Sequence, residues 1–118
     1  NKLHIDHILP EKWNSIEDWK KKWTEDQSRR WLHKIGNLTL LSGKKNISAS
    51  NGPFDEKKNI YKKDYGGTTA FEISKKIVEK SDWLENDVKE RQKWMIEQIE
   101  TILGLKLDGG TAYAQSST

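Results

Sequence analysis

The sequence predicts a single α+β domain that is predominantly helical and contains a short two-stranded hairpin. Two β-prone segments, residues 3–9 and 37–42, are bounded by residues that interrupt strands: Pro10 after the first, and Gly36 and Gly43 around the second. Elsewhere, apolar residues recur at helical spacing. A chain of 118 residues is long enough for one domain with a modest core.

Start and stop signals predict helices around and after the two strands. Ser15 to Asp18 and Thr24 to Gln27 resemble capping boxes, in which a hydroxyl and a residue three positions later satisfy free backbone groups. A proline at a first helical position and a glycine after a last one mark further helix ends. The expected helices span about residues 16–23, 24–35, 53–63, 68–78 and 81–104, and residues 44–51 stay ambiguous.

Composition limits both the core and the class of protein. Hydrophobic and charged residues each make up 33% of the chain, so the core must be small, and we expect the six tryptophans to anchor it. The chain has no cysteine, which excludes disulfides and thiolate zinc sites and fits a reducing cytosol. No apolar run is long enough for a membrane span or a signal peptide.

The chain divides into a domain over residues 1–107 and a tail. Residues 3–65 contain both strands, residues 68–104 read as a helical extension, and residues 108–118 are small and polar, which is typical of a flexible tail. The chain begins at Asn1 rather than at a methionine, so we expect it to be part of a longer protein.

Charge is clustered although the net value is small. The formal charge of +3 does not by itself indicate a nucleic-acid partner. Lysines concentrate between residues 44 and 63, where such a cluster could neutralise phosphates or form a solvated helix face. The candidates for phosphate contact are Lys44, Lys45, Lys57 and Lys58.

The stretch HIDHILP, residues 4–10, places three ionisable side chains inside an apolar strand. A histidine in a strand is commonly a structural residue with its hydrogen bonds satisfied. His4 and His7 as a zinc pair is a second possibility, but side chains three positions apart on a strand face opposite ways, and no further soft ligand is evident.

The ordered pattern HIDHILP, HKIGNLTLLSGKKN and SN…F…K…Y resembles the HNH, or ββα-metal, endonucleases. It is most similar to the domain at the C-terminal end of GmrSD-type modification-dependent restriction enzymes and of related phage-defence nucleases of the SspE type. The resemblance implies a ββα-metal core and a divalent-metal-dependent DNA endonuclease. This would be the effector of a bacterial restriction or anti-phage defence protein.

The resemblance also implies residue roles. Phosphodiester hydrolysis needs a group that takes a proton from water, and a histidine suits this because its pKa lies near neutrality. A hard cation stabilises charge on the phosphate, and oxygen donors hold it. His7 is then the general base, Asp6 and Asn46 bind Mg²⁺ or Mn²⁺, Asn37 braces the loop of His7, the four lysines contact DNA, and Asn51 has a supporting role. No zinc is expected.

This interpretation makes a geometric demand on the first strand. A regular strand would send Asp6 and His7 to opposite faces, so a bend near Pro10 is needed to bring them into one cleft. The apolar residues Ile5, Ile8 and Leu9 are then expected to pack the hairpin.

An alternative class remains: a non-catalytic nucleic-acid-binding or interaction module that retains the HNH fold. It has no need for the complete set of Asp6, His7, Asn37 and Asn46. In the nuclease interpretation the partners are DNA and an N-terminal sensor or nucleotide-hydrolysing region of the same full-length protein. No membrane is involved, and the expected location is the bacterial cytoplasm.

Overall fold

The structure is a computed structural model that describes residues 3–42, 51–63 and 68–106. This part of the chain is an α+β fold that is mostly helical and contains one two-stranded antiparallel sheet. The strands are β1 (Leu3–His7) and β2 (Leu38–Ser42), and the helices are α1 (Glu17–Lys20), α2 (Glu25–Trp31), α3 (Phe54–Lys63), α4 (Thr68–Val78) and α5 (Glu85–Leu103). Short 3₁₀ turns cover Trp13–Ser15 and Ile35–Asn37. Residues 43–50, which include Lys44, Lys45 and Asn46 and most of the ambiguous segment 44–51, lie outside the described residues, as does the tail.

The sheet is regular from end to end. β1 pairs with β2 so that Asp6 lies opposite Thr39 and His7 lies opposite Leu38. The strand ends at His7, two residues earlier than predicted. The next backbone N–H, that of Ile8, still donates to the carbonyl oxygen of Asn37 at 2.8 Å, but Asn37 belongs to a 3₁₀ turn and not to β2.

The two faces of the sheet have different surroundings. On the inner face Asp6, Thr39 and Leu41 are buried. Ile5 lies on the outer face and is 68% exposed, so the prediction that it packs the hairpin is wrong, because alternate side chains of a strand point to opposite faces. Ile8, which follows the strand, is fully buried as predicted.

One helix starts as the sequence predicts, and two helices start differently. Thr24 and Gln27 form the predicted capping box at the start of α2: Gln27 N–H donates to Thr24 Oγ1 at 3.2 Å, and Thr24 N–H donates to Gln27 Oε1 at 3.1 Å. The predicted Ser15 box is absent from the described start of α1. The residue before α1 is Ile16, which makes no side-chain cap hydrogen bond, and the Ser15 hydroxyl donates to the carbonyl oxygen of Lys12.

Helix α5 begins later than the sequence predicts. Asp87 accepts a hydrogen bond of 2.8 Å from the backbone N–H of Leu84, which fixes the helix start at Glu85 rather than near Ser81. The other end matches the prediction. Gly104 has a φ of 70°, a left-handed conformation that favours glycine, and it stops the helix.

Five of the six tryptophans lie in or against the core as predicted, whereas Trp94 is half-buried and lies outside it. Trp19, Trp23 and Trp83 are buried, and the ring of Phe54 contacts the rings of Trp19 and Trp83 at centroid distances of 6.0 and 5.8 Å. Each of these indole N–H groups has a partner; Trp23, for example, donates to the carbonyl oxygen of Trp83 at 2.9 Å. This core joins α1, α3 and α5 beneath the end of β1.

Within the described ranges, no helix has both the length and the apolar character that crossing a bilayer requires.

Candidate functional site at the end of the first strand

The end of β1 carries two polar clusters, one on each face of the sheet. β1 is regular through His7, so the predicted bend near Pro10 does not bring Asp6 and His7 into one cleft. Asp6 reaches α3 on the inner face, whereas His7 reaches the loop after α2 on the outer face. The two residues are adjacent in the chain but have separate sets of partners.

The inner cluster is a buried ion pair with a phenol attached. Asp6 Oδ2 accepts from Lys57 Nζ at 3.0 Å and from the Tyr61 hydroxyl at 2.6 Å. Burial lowers the pKa of Lys57, while the nearby Asp6 carboxylate acts in the opposite direction. Burial, followed by the repulsion of Asp6, raises the pKa of Tyr61 well above its ordinary value, so Tyr61 stays a neutral donor.

The burial of Lys57 corrects one prediction. Its side chain is 0% exposed and it pairs with Asp6, so its ammonium is not available to a DNA phosphate in this arrangement. Lys58 lies at the surface edge of the same helix, where Nζ donates to the carbonyl oxygen of Lys80 at 2.9 Å and lies 3.5 Å from Asp55. A phosphate contact by Lys58 stays a prediction.

The outer cluster consists of His7, Glu11 and His33. His7 Nε2 and His33 Nδ1 share a hydrogen bond of 2.9 Å, and the two rings meet edge to face with centroids 5.0 Å apart. Glu11 Oε1 lies 4.0 Å from His7 Nδ1. Burial lowers the pKa of His7, and the attraction of Glu11 opposes this shift. His7 is therefore mostly neutral near pH 7.

Asn37 holds together the two segments that carry the outer cluster, and we call its hydrogen bonds the Asn37 clamp. Its Oδ1 accepts from Leu9 N–H at 2.8 Å and from Trp83 Nε1 at 3.1 Å. Its Nδ2 donates to the carbonyl oxygens of Leu9 at 3.1 Å and Leu32 at 2.9 Å. The side chain is 0% exposed, so these four bonds use its full hydrogen-bonding capacity.

Glu11 and His33 were not identified from the sequence. Glu11 directly follows the first motif segment, which ends at Pro10, and His33 is the first residue of the second, four residues before Asn37. Their proximity to His7 depends on how α2 returns to the sheet, which local patterns do not specify. Asn51, predicted to support the site, is exposed in the turn before α3, and Asn46 lies outside the described residues.

The donors at this end of β1 suit a divalent cation. One donor atom from each of His7, Glu11 and His33 lies within 4.8 Å of the others. On the inner face, the Asp6 carboxylate is already paired with the Lys57 ammonium, which would compete with a metal ion. Both described bonds of Asp6 go to Oδ2.

The structure shows a mostly helical α+β domain with a polar site at the end of its first strand. Comparison with known proteins assigns this domain to a family. Residues 1–98 match the family described as GmrSD restriction endonucleases, C-terminal domain, and the chain belongs to this family. This confirms the resemblance to the C-terminal domain of GmrSD-type restriction enzymes. Searches of curated proteins and of solved structures returned no match.

Proposed function

We propose that this domain is a divalent-metal-dependent DNA endonuclease that acts as the effector of a bacterial restriction or anti-phage defence protein. The observation that supports the proposal most strongly is the environment of His7, a mostly neutral imidazole at the end of β1 beside the Asn37 clamp. The chain also belongs to a restriction endonuclease family. In this proposal residues 3–65 form a ββα-metal core. A further N-terminal region of the same protein supplies the trigger.

His7 is the proposed general base. In the tautomer in which His7 Nε2 donates to His33 Nδ1, the Nδ1 atom of His7 carries a free lone pair. That nitrogen accepts a proton from the water that attacks the phosphodiester. His33 fixes the orientation of the imidazole and is a positioning residue.

Asp6 and Asn46 are the proposed ligands of Mg²⁺ or Mn²⁺. Support comes from the donor types, since the carboxylate of Asp6 and the amide oxygen of Asn46 are ligands that Mg²⁺ and Mn²⁺ prefer, and a bound ion would compete with the Lys57 ammonium for Asp6. Asp6 and His7 face opposite sides of the sheet, so the end of β1 must rearrange before the cation and His7 can act on one phosphodiester. The cation would then stabilise negative charge on the phosphate oxygens and on the leaving oxygen. Lys44, Lys45 and Lys58 are proposed to contact the DNA backbone.

A plasmid assay tests the proposal. The purified domain should convert supercoiled plasmid to nicked circles with Mg²⁺ or Mn²⁺, and EDTA should stop the reaction. Cleavage that persists in EDTA would contradict a metal mechanism. Salt-dependent DNA binding without cleavage in either metal would favour the non-catalytic binding module.

A further inference from the structure

We propose that His7, Glu11 and His33 form a binding site for a borderline divalent transition-metal ion such as Zn²⁺, and that occupancy of this site blocks cleavage. The blocking step rests on the proposed role of His7 as the general base. The site differs from the proposed Mg²⁺ or Mn²⁺ position at Asp6 and Asn46, because it lies on the outer face of the sheet and presents nitrogen donors.

The donor set determines which ions the site prefers. Two imidazole nitrogens and one carboxylate oxygen suit Zn²⁺ and its neighbours in the first transition row. Mg²⁺ prefers oxygen ligands and retains its water, so it competes poorly for imidazole. The site should therefore distinguish Zn²⁺ from Mg²⁺.

The geometry needs little adjustment. In a tetrahedral site with metal–nitrogen bonds of about 2.0–2.1 Å, two coordinating nitrogens lie roughly 3.3 Å apart. His7 Nε2 and His33 Nδ1 are already 2.9 Å apart. Glu11 is 64% exposed and lies within 4.8 Å of the imidazole donors, so a side-chain rotation can complete the set without moving the backbone.

The scaffold behind the donors is rigid. His7 and Glu11 flank the segment Ile8–Pro10, and His33 follows Leu32. The Asn37 clamp bonds to both Leu9 and Leu32 from a fully buried position. The two ligand-bearing segments are thus held together before any ion binds, which reduces the ordering that binding requires.

Occupancy removes the group that the proposed reaction needs. An ion bound to a nitrogen of His7 fixes that imidazole as a ligand and adds positive charge beside the site. The proton-accepting lone pair is then either coordinated or less basic. The domain would remain inactive when Zn²⁺ is available and would become active when Zn²⁺ is withdrawn.

Calorimetric titration of the folded domain with Zn²⁺, without DNA or Mg²⁺, tests the site independently of activity. We expect one Zn²⁺ per chain, with affinity lowered at least about tenfold in His33→Asn and in Glu11→Gln. His4→Asn is the matched control, since His4 also lies on β1 but outside the cluster, and it should bind like the unmodified domain. Circular dichroism verifies that each variant folds.

Two results would overturn the site. One is the absence of stoichiometric Zn²⁺ binding; the other is binding that is unchanged in both His33→Asn and Glu11→Gln. Co²⁺ provides a second measurement, because its visible absorption reports nitrogen coordination in the unmodified domain and should weaken in the same two variants.

Inhibition is measured separately. In Mg²⁺-dependent nicking, added Zn²⁺ should inhibit at the concentrations that fill the calorimetric site. Glu11→Gln, compared with its own zinc-free rate, should need at least about ten times more Zn²⁺. Full cleavage at saturating Zn²⁺ would overturn the blocking step. If the domain binds Zn²⁺ but does not cleave DNA with any metal, the Zn²⁺ site is supported and the proposed function is refuted.

Discussion

Replacing Asn37 by alanine should destabilise the domain more than most single substitutions. The change deletes four hydrogen bonds and leaves two buried donors, Leu9 N–H and the Trp83 indole N–H, without their acceptor. Each buried unsatisfied donor costs about 1–3 kcal/mol, so Asn37→Ala should lower the free energy of unfolding by about 2–6 kcal/mol. This is a large part of the roughly 5–15 kcal/mol that holds a typical domain folded.

Urea unfolding followed by tryptophan fluorescence measures this loss. Asn59→Ala is the matched control because Asn59 is exposed on α3, and its effect should stay within about 0.5 kcal/mol. A loss below about 1 kcal/mol for Asn37→Ala would refute the reasoning, since it would mean that the clamp is replaceable by water or by local rearrangement.

Two further substitutions test the packing beneath the site. Lys57→Ala leaves the buried Asp6 carboxylate without its cation and should lower the free energy of unfolding in urea by about 3–5 kcal/mol. Lys62 is exposed on the same helix, so Lys62→Ala should change the free energy of unfolding little. Equal effects of the two substitutions would contradict the buried ion pair. Gly36→Ala places a Cβ 2.5 Å from the carbonyl oxygen of Val88 in the α5 backbone and should cost about 1–3 kcal/mol by the same assay. Gly52→Ala, whose nearest contacts are all with the flexible Glu56 side chain, should be tolerated, and a Gly36 variant as stable as this control would mean that α5 can move away.

The sequence predicted the features that depend on local signals. Thr24 and Gln27 are three residues apart and cap α2 without help from the rest of the fold. Gly104 ends α5 for a similarly local reason, its left-handed conformation. Ile5 was predicted to be buried, but the faces of a strand are fixed by what packs on the sheet, and α3 and α4 cover the face of Asp6.

The candidate site was predicted less completely because its contacts are distant in sequence. His7 and His33 meet across 26 positions, and Lys57 meets Asp6 across 51. A lysine in a charged run is typical of a solvated surface, and nothing near Lys57 in the sequence indicates a buried carboxylate partner. The motif identified His7 and Asn37, whereas Glu11 and His33 become evident only once the chain is folded.

The central claim is that His7 acts as a base in a metal-dependent cleavage. The most direct test compares the variants His7→Ala and Asn46→Ala. For each variant, single-turnover nicking is measured in Mg²⁺ and Mg²⁺ affinity is measured by calorimetry. For His7→Ala the account predicts a rate roughly 10²–10⁴-fold lower, with fold and Mg²⁺ affinity retained. For Asn46→Ala it predicts that affinity and rate fall together and that excess metal restores part of the rate. A His7→Ala domain that cleaves at the unmodified rate, or that loses Mg²⁺ binding together with activity, would contradict the assignment.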